Sequence, residues 1–183
     1  MNSLRGALLT IALLVCLPVE GDQNDPRLDE LFSVLEQSSN RQELRVAENR
    51  IWEIWMQHPD EDAARLLAVA TDRMNRQQIA DAMALFNGVI EQYPNFAEAW
   101  NKRATLHYLL GDHAASIEDI HQALELEPRH FGAISGLGLV YLQQDDLMPA
   151  RAAFQRLLRI YPHSTNALEN LRLIDERIRT RFI

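Results

Sequence analysis

Cysteine, lysine and glycine are scarce in this chain of 183 residues: one Cys, one Lys and 7 Gly. Cys16 stands before Gly21. Removal of that leading stretch would leave no thiol, and with it no disulfide, no thiol nucleophile and no thiolate metal site. The few glycines form no G-x-S-x-G element, no phosphate-cradling loop and no dinucleotide fingerprint. Gly136-Leu137-Gly138 begins such a fingerprint but falls inside a stretch of helical spacing. Strand-like alternation is absent, which excludes a sheet-based enzyme fold. The formal net charge is −8 and Lys102 is the sole lysine. Phosphate binding needs clustered cations, so nucleic acid is excluded as the main ligand. Six histidines are present, among them His107, His113 and His121, yet no H-E-x-x-H or i,i+4 His pair occurs, and a zinc site is not expected. Carboxylates are scattered along helical stretches without a facing partner that would mark a glycosidase-type pair. The expectation is no catalytic residue, no metal and no cofactor.

What the sequence does have is a repeat. Pro94, Pro128 and Pro162 stand 34 residues apart and end three units, 63–96, 97–130 and 131–164. In the last unit Ile134, Leu137, Gly138, Tyr141, Ala150, Phe154 and Pro162 occupy one bulky–small–bulky outline. The middle unit repeats it with Trp100, Ala104, Ser116, Ile120 and Ala123, and the first with Val69, Ala70, Ala82, Phe86 and Pro94. A fainter unit ending at Pro59 keeps the spacing through Leu31, Val34, Leu35, Ala47, Ile51 and Ile54. Helices packed 8–10 Å apart need such alternating sizes. Asp112 and Asp146 stand where second helices should begin, as N-caps, and Pro149 lies in a first turn, where its missing N–H is tolerated.

On these residues the chain resembles a tetratricopeptide repeat protein over 28–164, matching W-x2-L-G-x2-Y…A-x3-F…P. The resemblance implies an all-α, right-handed superhelical array of antiparallel helix pairs. A C-terminal capping helix over 165–183 would offer Leu168, Leu171, Ile174 and Ile178 to the last repeat, since a terminal repeat otherwise exposes its apolar face. Its arginines would face water. Residues 22–62 form an acidic segment with a divergent helix pair, and the arginine-rich opposite end makes the charge uneven. That polarity allows orientation of a partner, or self-association head to tail.

Residues 1–21 resemble an export signal: Arg5, then an apolar run from Ala7 to Val19, then a cleavage context placing the cut after Gly21. The run is shorter than the about 20 residues of a membrane span. The expectation is a periplasmic or secreted protein, not inserted in a membrane after cleavage. The arginine bias favours a bacterial envelope.

The family resemblance also implies a concave groove lined by the first helix of each pair. Its positions carry Leu67, Thr71 and Met74, then Glu98, Asn101, Thr105 and Tyr108, then Gly132, Ser135, Leu139 and Leu142, with Lys102 at the edge. Met74, Tyr108 and Leu142 make an apolar row, and the hydroxyls and the Asn101 amide suit peptide backbone. The two-carboxylate clamp of chaperone-tail binders is missing from the corresponding positions. The functional expectation is a non-catalytic adaptor holding a peptide or partner protein. Its alternatives are a membrane-tethered subunit with an uncut signal, and a hydrolase, which would need two carboxylates in a closed cleft.

Overall fold

The computed structural model describes residues 21–181, and within them the 34-residue pattern folds as α-helix throughout, with no strand among the described residues. In chain order the helices are α1 (Arg27–Gln37), α2 (Arg41–Trp55), α3 (Glu61–Asn75), α4 (Ile79–Gln92), α5 (Ala97–Leu109), α6 (His113–Leu126), α7 (Phe131–Gln143), α8 (Leu147–Ile160) and α9 (Thr165–Arg181). The export signal expected over 1–21 lies, Gly21 apart, outside the described residues. No helix among the described residues is long and apolar enough to cross a membrane.

The pairs α3–α4, α5–α6 and α7–α8 are the three units read from the proline spacing, each packed on the next, with α9 on α8. Ala70, Ala104 and Gly138 on the first helices, and Ala82, Ser116 and Ala150 on the second, are buried at the close approach. The Ser116 hydroxyl donates to the Ala104 carbonyl at 2.9 Å and satisfies an otherwise buried polar group. Phe86, Ile120 and Phe154, one repeat apart, are sealed from water, each contributing about 1.5–3 kcal/mol by burial.

The turns inside the pairs are built alike. Gln77, Gly111 and Asp145 take positive φ of 60°, 76° and 61°. The next residue in each case donates back across the helix end: Gln78 to Arg73, Asp112 to His107 and Asp146 to Tyr141, at 2.9–3.0 Å. This is the Schellman closure, which favours glycine at the left-handed position. Only one of the three turns supplies glycine. At the helix starts, Asp112 caps α6 by accepting from the Ala115 N–H at 3.1 Å. Asp146 does not cap α8 in this way. The cause is Pro149, which occupies the third helical position and has no N–H to donate.

Two expectations need correction. In α9, Ile174 is buried and Leu171 and Ile178 pack on the core, but Leu168 is 49% exposed and Ala167 takes the buried place. The α9 arginines face water as expected, Arg177 and Arg181 pairing at the surface with Asp145, and Arg151 of α8 reaches Asp175 of α9 at 3.4 Å. The larger correction concerns α1–α2. The spacing yields a helix pair, yet that pair does not extend the stack. Its core residues, Leu28, Phe32, Leu35, Ile51, Ile54 and Trp55, join those of α7 and α8, while α3–α4 belongs to a second core with Phe86 and Phe96. The physical reason is ring size. Phe32, Trp52 and Trp55 pack against Phe131, with centroids 6.4, 5.2 and 4.9 Å away. Helix α3, buried through Ala63, Leu67 and Ala70, has no comparable partner.

The hairpin therefore folds back over the N-terminal ends of α5 and α7. Arg129 pins it by bonding Asp29 at 2.7 Å while lying over the Phe32 ring at 4.3 Å. Gln23 grips the α4–α5 junction, donating to the Asn95 carbonyl at 2.6 Å and accepting from the Ala97 N–H at 3.3 Å. At Gly132 a Cβ would fall 2.4 Å from the Trp52 ring, so only glycine admits the docked indole. Gly132→Leu is expected to destabilise the protein by about 1–3 kcal/mol through overpacking. It should also expose residues 22–60 to protease. Unchanged unfolding and unchanged digestion would show that the hairpin does not seat on α7.

Candidate functional site

The hairpin walls off one end of the concave face, which stays open to solvent. A recess of about 410 Å³ lies between α5, α7 and the start of α9, and Glu48 and Trp52 of α2 close one end. Of the expected groove residues, Asn101, Thr105, Tyr108, Gly132, Ser135 and Leu139 line it. The Thr105 hydroxyl donates to the Asn101 carbonyl at 3.0 Å, and the Ser135 hydroxyl to Asn166 Oδ1 at 2.9 Å.

The remaining expected positions lie elsewhere. Leu67 is fully buried in the second core and offers a ligand nothing, a correction that follows from its place between α3 and α4. Thr71 on the same helix bonds back to the Leu67 carbonyl at 2.8 Å, and Met74 packs on that core. Leu142 packs on the first core. Lys102 pairs with Glu98 at 3.1 Å and stands 5.5 Å from the Trp52 ring centre. Of the row Met74, Tyr108 and Leu142, only Tyr108 reaches the recess.

Asn101 has a second task. It is 7% exposed, and its amide donates to Glu98 Oε2 at 2.9 Å. The same oxygen lies 2.9 Å from His130 Nε2. His130 Nδ1 accepts the Ala133 N–H at 3.2 Å and so caps α7. With Nδ1 accepting, the ring proton sits on Nε2 and is donated to Glu98. Trp55 stacks on the imidazole, centroids 4.0 Å apart and planes 14° from parallel. Burial alone would push the Glu98 carboxyl up. The His130 hydrogen bond, the Lys102 charge and the Asn101 amide outweigh it and hold the group below its ordinary range.

At the other side of the recess the Tyr161 hydroxyl donates to Glu48 Oε2 at 3.3 Å. Burial, then the Glu48 charge and this hydrogen bond, push Tyr161 up to about 12, so it remains a neutral donor. Glu48 is the single carboxylate lining the recess. The surface therefore presents hydroxyls, an amide, apolar area and one acid, which is the equipment of a binding surface rather than of an acid–base pair.

Glu48, Trp52, Phe131 and Tyr161 were not among the expected site residues. Their register follows from the folding-back of α2, which no repeat position announces. Gly132 is the one local signal: a residue without a side chain at a groove position of α7 marks a close approach.

The sequence model of the tetratricopeptide repeat matches residues 67–120 and 110–165. A TPR repeat-containing protein of Rhizobium etli is 30% identical over 152 residues, 83% of this chain and 74% of that protein. Human peptidyl-prolyl cis-trans isomerase FKBP4 is 34% identical over 79 residues, 43% of this chain and 17% of the isomerase. Among solved structures, the first TPR of Spaghetti (RPAP3) bound to an HSP90 peptide aligns with TM-score 0.62 at 19% identity, covering 64% of this chain and 94% of that one. The type III secretion translocator chaperone SycD of Yersinia enterocolitica aligns with TM-score 0.62 at 11% identity, covering 64% and 95%.

The Glu98 contacts have a consequence for acid stability. A carboxyl held below its ordinary value, 4.5, stabilises the fold fully above that pH. The contribution is lost as pH falls from there through the folded-state value. Glu98→Gln should cost about 1–3 kcal/mol at neutral pH. The gap to wild type should narrow below pH 4.5 in denaturant titrations. A gap independent of pH would show that Glu98 is not the ionised partner of His130.

Proposed function

Because the chain belongs to the tetratricopeptide repeat family, we propose that it is a non-catalytic adaptor that holds a peptide segment of a partner protein in the recess between α5, α7 and α9. One observation carries this reading. Thr105 and Ser135 present hydroxyls on one wall while Tyr108 and Leu139 present apolar area beside them, the mixture that grips backbone and side chains together. The likeness in fold to a repeat domain bound to an HSP90 peptide supports it. The bound segment differs from that peptide in chemistry, because no arginine or lysine lines the recess.

The reading extends to the bacterial cell envelope. Its support is Arg5, the apolar run from Ala7 to Val19 and the break at Gly21. The intact mass of the protein from its native host decides between the soluble and the tethered form. A start at Asp22 is expected, and an intact Met1 end would defeat the soluble adaptor.

The groove is tested by filling it. Thr105→Arg combined with Ser135→Arg, at positions with no role in the core, should change stability by about 0.5 kcal/mol or less. It should weaken capture of peptides selected from a displayed random library by about tenfold or more. Unaltered capture by the double variant would remove the groove reading.

A further inference from the structure

The end of the recess closed by α2 has a chemistry of its own. Trp52 and Phe131 meet edge to face, centroids 5.2 Å apart at 88°, and Tyr161 stands 6.4 Å from Phe131 at 64°. Glu48 lies with them in the same wall. Among the described residues no cation pairs with Glu48, and its one hydrogen bond is that from Tyr161. The nearby Lys102 is already held by the buried Glu98 carboxylate and does not line the recess. The half-buried carboxylate thus keeps acceptor capacity that the protein leaves unused, beside aromatic rings whose quadrupoles attract positive charge, as the Lys102 ammonium 5.5 Å from the Trp52 ring centre already shows.

We propose that this corner is a subsite for a basic side chain, arginine or lysine, carried by the peptide that the recess binds. The inference rests on the groove reading above and adds the charge of the occupant. A guanidinium satisfies the geometry best, since its planar fork reaches a carboxylate while its face lies on an aromatic ring. The rest of the recess, with Tyr108, Leu109 and Leu139, takes apolar side chains flanking the basic one. An acidic segment meets the opposite condition: a negative corner, no arginine or lysine in the lining of the recess and a chain of net charge −8.

The experiment is selection from a displayed random dodecapeptide library against the full chain, the Glu48→Gln variant and the Thr105→Arg/Ser135→Arg variant. Synthetic copies of the enriched peptides are then measured by fluorescence anisotropy. Wild type should enrich peptides with Arg or Lys beside apolar residues, and Glu48→Gln should bind them about tenfold more weakly. Replacing the basic residue by norleucine should cost about tenfold against wild type and little against Glu48→Gln, because the two changes remove the same interaction. Tyr161→Phe, which keeps the carboxylate, should retain the basic preference. Peptides that the double-arginine variant rejects, but that carry no basic residue and ignore Glu48→Gln, would overturn the subsite and leave the groove standing. Peptides indifferent to the double-arginine variant, or no enrichment at all, would overturn the groove and the subsite with it.

Discussion

Glu98 has its carboxylate out of water, 2.9 Å from His130 Nε2 and 3.1 Å from Lys102 Nζ. The imidazole that donates to it carries Trp55 on its face and the first turn of α7 on its other nitrogen. One buried acid thus connects α5, α7 and the returning hairpin. Charges in such a place are tolerated only when they are paired: Asn101 shares Oε2 with His130, while Oε1 accepts no hydrogen bond and faces the Lys102 ammonium alone. The arrangement is a constraint on geometry more than a source of net stability. It holds Trp52 against Gly132, and that contact gives the recess its end wall.

The array beneath follows from simpler rules. Small residues at the approach of each pair and large ones between pairs set the helix spacing, and a left-handed residue closes each turn. Two of those turns use Gln77 and Asp145 where glycine would be easier. The hydrogen bonds across the helix ends outweigh the local strain. A scaffold of this kind holds its surface residues on rigid elements. Thr105 and Ser135 consequently face the recess from well-packed helices rather than from loops.

Helix positions, pair boundaries and the burial of Phe86, Ile120 and Phe154 were legible because each depends on neighbours within one 34-residue period. Thr105, Tyr108, Ser135 and Leu139 were legible as recess-lining residues for the same reason, since the register of α5 and α7 orients them. Asn101 was legible as a polar residue on that surface, but its bond to a buried Glu98 was not. Leu67 misled the reading. The groove register holds for Thr105 and Tyr108 of α5 and for Ser135 and Leu139 of α7, whereas Leu142 packs on the first core, Glu98 is buried, and α3 buries Leu67 in the core with α4.

By itself, the order of residues determined the repeated helix pairs, their turns and the alternation of sizes that stacks them, all contacts of short range along the chain. Only the tertiary structure decided where α1–α2 would go. Gln23 finds Asn95 across 72 residues and Asp29 finds Arg129 across 100. Such distant partners are chosen by the fit of aromatic rings and a buried acid in three dimensions, for which a one-dimensional period has no term. Glu48 and Trp52 entered the site by that route, as consequences of where a hairpin found room for its rings.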